Sequence, residues 1–179
     1  MKNLHQFLTV IRQSGFTFNI KTCSFAHPEV KFLGRVTGSG RYSPNTDKVA
    51  TVHGLKSPQM KNEVRQILGF FANFQYFIPG YAEIARCITD LTCKRTSNKM
   101  SWTQKHEQAF QLLKSLLCEA VTKTLFIIDY NLPFNISFDA STYAVSCILS
   151  ETDNNQTEKP IAFTSKRLTY AQIHAWSVI

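Results

Sequence analysis

The chain has 179 residues, 44% of them hydrophobic and 12% aromatic, with 20 Lys and Arg against 12 Asp and Glu. That is enough apolar material for one ordinary domain or two small ones with real cores, which excludes a largely disordered chain. No run approaches the roughly 20 apolar residues of a membrane helix, and the first residues lack the apolar stretch of a secretory signal, so a soluble, intracellular protein without a membrane partner is expected.

The formal charge of +8 is unevenly placed. Residues 1–99 carry 14 Lys and Arg against 5 Asp and Glu, whereas residues 100–179 carry 6 against 7. A basic part followed by a near-neutral part suggests a module facing a polyanion joined to something else. Five cysteines, Cys23, Cys87, Cys93, Cys118 and Cys147, form no CxxC pair and no cysteine-histidine cluster at zinc spacing. They read as reduced, mostly buried thiols.

In chain order, Leu4, Phe7, Leu8 and Ile11 recur at helical spacing before a stop at Ser14-Gly15. Residues 29–37 have strand composition, and Gly38-Ser39-Gly40 followed by Arg41-Tyr42 predicts a β-hairpin. Pro44-Asn45-Thr46 offers a capped start for a helix over 47–55. The clearest helix is expected over 61–77, with Val64, Ile67, Leu68, Phe71, Phe74 and Ile78 on one face and Pro79-Gly80 as its stop. A third helical stretch covers 81–91, and residues 94–99 read as a polar, basic linker.

Beyond the linker, a helix over 104–120 has a wide apolar face of Ala109, Phe110, Leu112, Leu113, Leu116 and Leu117. Residues 134–138 and 144–149 look like paired strands, Asp153-Asn154-Asn155 is a turn, and 161–164 is a third strand. This gives three antiparallel strands, with the helix of 104–120 expected to cover them.

Three ordered blocks resemble the Pol polyprotein of gypsy-type LTR retrotransposons: Lys21-Thr22-Cys23-Ser24-Phe25 with Val30-Lys31-Phe32-Leu33-Gly34, then Glu63-Val64-Arg65 with Ile67-Leu68-Gly69-Phe70, then Phe138-Asp139-Ala140-Ser141. Phe77-Ile78-Pro79-Gly80-Tyr81, Leu91-Thr92-Cys93-Lys94 and Ser101-Trp102-Thr103 fit between them. The resemblance spans nearly the whole chain. It implies an α+β fold in three parts: residues 1–45 as the end of a reverse transcriptase palm, 46–98 as a helical thumb, and 99–179 as the start of an RNase H-like domain. The palm part would carry the primer-grip hairpin, with Phe32, Leu33 and Gly34. The last part would be an incomplete antiparallel sheet with helices.

Nucleotide polymerisation needs paired aspartates holding two metal ions. The family places them in a Tyr-x-Asp-Asp turn, and this sequence has no Asp-Asp pair, so the chain is expected to start after that turn. Ribonuclease H chemistry needs several carboxylates converging on Mg²⁺, the cofactor of the intact family. Asp139 matches the first catalytic and metal-holding carboxylate, and the sequence ends before the glutamate expected in the next helix. One carboxylate makes an incomplete metal site, so Asp139 is expected to be inactive here.

The thumb helix supports a binding role. Arg65, Gly69 and Asn73 lie at i, i+4 and i+8, nearly opposite the apolar face at 100° per residue. Gly69 leaves room for close approach to a groove, Asn73 offers hydrogen bonds, and Arg65 and Lys61 offer phosphate contacts. The partners implied are an RNA-DNA hybrid or DNA duplex and the remainder of the Pol polyprotein. A catalytically incomplete nucleic-acid-binding segment is the leading expectation. A truncated reading of an active reverse transcriptase-ribonuclease H and a repurposed protein-interaction module are the alternatives.

Overall fold

The computed structural model describes residues 2–23, 25, 27–93 and 101–175. The linker expected over 94–99, Ser24 and the residues beyond Ala175 lie outside them. Helix α1 (Lys2–Gln13) opens the chain where the periodicity placed it. Its Leu4, Phe7, Leu8 and Val10 remain exposed to solvent.

The expected single hairpin is two. Strands β1 (Glu29–Phe32), β2 (Arg35–Gly38) and β3 (Arg41–Pro44) pair antiparallel in sequence order. The stretch 29–37 breaks at Leu33-Gly34, where φ is 48° and 79°, and the second turn repeats the pattern at Ser39 (50°) and Gly40 (72°). Two successive positive-φ residues are the signature of two-residue turns whose twist matches the flanking strands. Gly38 is fixed for another reason, since a Cβ there would sit 2.3 Å from the Pro28 carbonyl oxygen.

Helix α2 (Thr46–His53) starts at Asn45, whose side chain accepts from the Asp47 N–H at 3.0 Å. Helix α3 (Lys61–Ala72) is held at its start by Glu63, which accepts from the N–H groups of Gln59 (2.7 Å) and Met60 (3.2 Å). It ends five residues before the expected Phe77. The Asn73 side-chain amide donates to the Gly69 carbonyl at 3.1 Å, a local bond that competes with continued helix, and a 3-10 turn follows at Gln75–Phe77. The next helical stretch divides at the buried Ala85 into α4 (Tyr81–Ile84) and α5 (Arg86–Asp90).

Helix α6 (Gln104–Thr122) presents Phe110, Leu113, Leu117 and Ala120 to the core, while Leu112 stays 46% exposed. It packs against α2, α4, α5 and β3, so the expectation that it covers the later sheet is corrected. Its apolar stripe is matched by Val49, Val52, Val64, Ile67, Phe71 and Ile88, and these residues form one continuous core. Aromatic rings join the elements: Phe110 meets Phe71 edge-on at 6.3 Å and Trp102 at 6.0 Å. Phe71, Phe74 and Phe77 are buried, and Phe70 packs half-buried against the same core.

A short strand that the sequence did not signal, β4 (Leu125–Phe126), pairs with β3 and completes a four-stranded sheet of order β1-β2-β3-β4. The three later strands, β5 (Phe134–Ala140), β6 (Ala144–Thr152) and β7 (Glu158–Arg167), form an antiparallel sheet of order β5-β6-β7, followed by α7 (Tyr170–Ala175). That sheet docks through β7 on α4 and on the 3-10 turn before it. Ser165 Oγ accepts from the Ala82 N–H at 2.8 Å, Arg167 pairs with Asp90 at 2.6 Å, and the Arg86 guanidinium lies 3.7 Å from the Tyr143 ring centroid.

No helix among the described residues is long and apolar enough to cross a membrane. The five cysteines are free thiols, but four are half-buried and Cys93 is exposed, so they are less enclosed than expected.

Candidate nucleic-acid interface

Helix α3 has two unlike faces because its apolar residues recur every three or four positions. Val64, Ile67 and Phe71 are buried, while Asn62, Arg65, Gln66, Gly69 and Ala72 are exposed, and exposed Asn73 caps the helix on the same side. Arg65 Nη1 donates to Asn62 Oδ1 at 3.1 Å, which holds the guanidinium along the exposed face. A Cβ built on Gly69 meets nothing within 4 Å, so the helix backbone is open to close approach there. Asn62 and Gln66 were missed as members of this polar stripe, although their i, i+4 spacing could have shown them.

Lys61 does not belong to it. The residue is 5% exposed, and its ammonium donates to the Cys93 carbonyl. Its place in the first turn points it inward to the chain leaving α5, which corrects the expectation of a phosphate contact.

The hairpin tip of Phe32, Leu33 and Gly34 sits against the far end of the same helix. Phe32 and Leu33 are exposed, whereas Gly34 lies close to buried Phe74 and to Lys48. Arg35, which sequence reasoning passed over, joins the two parts. Its Nη2 donates to the Asn73 carbonyl at 3.3 Å, and its guanidinium lies 5.7 Å from the Tyr76 ring centroid and 5.6 Å from that of Phe77. Between hairpin and helix end runs a groove of about 1180 Å³, lined by Phe32, Leu33, Gly34, Arg35, Lys48, Asn73 and Tyr76 among others. Two cations, Arg35 and Lys48, and several aromatic residues therefore line one groove.

Nearby charges are partly committed. Lys31 pairs with Asp47 at 2.8 Å and, by donating to it, holds its carboxyl below the usual carboxylate range. Tyr42 also lines the groove; burial raises its pKa against the opposing pull of Arg35, and its hydroxyl donates to the Ile161 carbonyl.

Asp139 lies far along the chain, in β5 opposite Ser146. The turn after it is closed by Ser141, whose Oγ accepts from the Tyr143 and Ala144 N–H groups at 3.3 and 3.2 Å. Among the described residues no group of three or more His, Cys, Asp or Glu is placed to hold a metal ion. Mg²⁺ asks for several oxygen ligands, and Asp139 by itself does not fit that demand.

Comparison with known proteins places this architecture. Residues 102–178 match the model of the RNase H-like domain found in reverse transcriptase. The chain is 28% identical over 176 residues to the retrovirus-related Pol polyprotein from transposon opus of Drosophila melanogaster, covering 93% of this chain and 17% of that protein. It is 28% identical over 161 residues to the Pol polyprotein of feline endogenous virus ECE1, covering 90% of this chain and 15% of that protein. A solved structure of a foamy viral protease-reverse transcriptase in complex with an RNA/DNA hybrid superimposes with a TM-score of 0.74 at 23% identity, covering 96% of this chain and 23% of that one. The chain thus spans about a sixth of the curated relatives it matches. Its sequence is similar to retrotransposon and retroviral Pol polyproteins, and its residues 102–178 match the RNase H-like domain found in reverse transcriptase.

Proposed function

We propose that this segment of a Pol polyprotein binds an RNA-DNA hybrid or DNA duplex through the exposed face of α3 and the neighbouring hairpin tip, without catalysing a reaction itself. The observation that carries the reading is the meeting of the two candidate elements. Arg65, Gly69 and Asn73 form one polar, open helix face, and Arg35 ties its end to the Phe32–Gly34 turn. The foamy viral relative whose fold this chain shares is in complex with an RNA/DNA hybrid. In this reading residues 1–45 are palm end and primer grip, 46–98 thumb, and 99–179 the start of the RNase H-like part. The ordered motifs support a gypsy-type element as the source. The remainder of the Pol polyprotein is the natural protein partner, and Mg²⁺ belongs to the completed carboxylate set, so no metal-dependent step is assigned to Asp139.

The test is fluorescence anisotropy of a labelled RNA-DNA hybrid titrated with the chain. Arg65→Glu reverses a charge on the face and weakens binding. Gly69→Leu keeps the charge and fills the open approach, so it also weakens binding while circular dichroism shows unchanged helicity. Binding insensitive to both substitutions would remove the helix face from the interface.

A further inference from the structure

We propose that Cys118 and His53 form a reactive pair, in which the Cys118 thiol exchanges with low-molecular-weight disulfides. The two residues meet where α2 packs against α6. His53 closes α2, Cys118 lies in the last two turns of α6, and Cys118 Sγ stands 3.5 Å from His53 Nε2. Two of the other thiols are spent differently: Cys23 donates to the Asn19 carbonyl at 3.3 Å and Cys87 to the Ile84 carbonyl at 3.9 Å, and a carbonyl does not take the proton away. Among the described residues Cys118 is the one thiol within hydrogen-bond reach of an imidazole.

A cysteine attacks as its thiolate, so a neighbouring base is what separates a nucleophile from a packing residue. With the imidazole's own proton on Nδ1, Nε2 is the acceptor for that of Cys118. The charges so produced suit their places. An imidazolium at the last residue of α2 lies at the negative end of the helix dipole. Lys114, one turn before Cys118 on the same side of α6, holds its ammonium at this junction by donating to the Leu55 carbonyl at 3.0 Å, and a cation there favours the thiolate. The adjacent carboxylate, Glu119, is paired with Lys123 at 2.9 Å. Cys118 is half-buried and His53 exposed, so the pair lies at the surface of the helical body.

In the exchange, the Cys118 proton passes to His53 Nε2 and the thiolate attacks one sulfur of the disulfide. A new S–S bond forms at Cys118 as the old one breaks, and the departing thiolate takes the electron pair and then the proton from His53. One thiol and one disulfide enter, and one thiol and one mixed disulfide leave, so no further oxidant is consumed.

The test exposes the full chain to oxidised glutathione under native conditions and follows the mixed disulfide at each cysteine by peptide mass spectrometry. Cys118 should react faster than Cys93, although Cys93 is the exposed thiol, because a positioned base outweighs access. His53→Gln keeps a polar side chain that takes no proton at neutral pH, and should lower the Cys118 rate at least about tenfold while leaving that of Cys93 unchanged. His53→Ala separates activation from cover, since it opens the approach to Sγ: an activating imidazole predicts a slower Cys118, and one that only covers the thiol predicts a faster one. Circular dichroism and the Cys93 rate report whether each variant stays folded, and the wild-type comparison of Cys118 with Cys93 needs no variant. A wild-type rate at Cys118 no greater than at Cys93, or a Cys118 rate that either folded variant raises or leaves unchanged, would overturn the proposal.

Discussion

Phe110→Ala tests whether the helices before and after residues 94–100 form one cooperative unit. Phe110 is fully buried in the middle of α6 and packs edge-on against Phe71 of α3 and Trp102. Truncation removes a phenyl ring's transfer free energy, leaves a cavity and breaks two ring contacts, so a loss of about 3–5 kcal/mol is expected. Small domains are stable by only about 5–15 kcal/mol, so a large share of the total is at stake. Leu112→Ala on the same helix is the control. With Leu112 46% exposed, its loss should stay under about 1 kcal/mol. Urea unfolding followed by far-ultraviolet circular dichroism gives both values, provided the slope is unchanged. The reasoning fails if the wild-type chain melts in two separated transitions, or if Phe110→Ala costs no more than Leu112→Ala.

Three further outcomes are expected. His106 caps α6 by accepting from the Thr103 N–H at 3.0 Å, and burial, followed by neighbouring Lys105, lowers its pKa against the opposing pull of Asp90. A histidine pKa lowered by folding gives stability that is complete above the unfolded value of about 6.5 and lost as pH falls through the folded one. Thermal melts should show that loss, and His106→Gln, an acceptor that does not titrate, should flatten it. Gly38→Ala drives a Cβ into the Pro28 carbonyl and should cost about 1–3 kcal/mol, read as a drop in the urea midpoint. With one candidate carboxylate, Asp139, the chain should leave an RNA-DNA hybrid uncut in Mg²⁺ on a denaturing gel. Cleavage abolished by Asp139→Asn would show that other ligands exist.

Much of the fold was legible because apolar spacing is set by local geometry. Helices α1, α2 and α6 and the strands β5 to β7 fall where periodicity and turn residues put them. The misses share a cause. Leu33-Gly34 looked like strand because leucine seldom adopts positive φ, yet the turn forms there. Helix α3 stops early because Asn73 bonds back to Gly69, a competition that an apolar pattern does not record. Two-residue β4 is too short to show a period, and its pairing with β3 joins positions far apart in sequence.

The candidate site was legible by half. Arg65, Gly69 and Asn73 share a face by helical geometry alone, whereas Arg35 gains its place only when the hairpin folds against the helix end. Lys61 was misplaced because a first-turn lysine can snorkel either way, and here a carbonyl across the fold receives its ammonium. Glu107 gave no sequence signal. It accepts from Trp102 Nε1 (2.7 Å), Ser57 Oγ (2.6 Å) and Gln111 Nε2 (2.7 Å), and these bonds, Gln111 first, hold its carboxyl below the usual range.

The most direct measurement of the central claim is the salt dependence of hybrid binding in three proteins: wild type, Arg65→Ala and Lys105→Ala. Cations that neutralise phosphates release condensed counterions, so log affinity falls linearly with log salt, by about 0.9 per contact on a B-form duplex. Arg65→Ala should make the slope shallower by nearly one such contact, while Lys105→Ala, at the exposed start of α6 in the near-neutral part, should leave it unchanged. A slope indifferent to Arg65, or equally reduced by Lys105→Ala, would contradict binding through the α3 face.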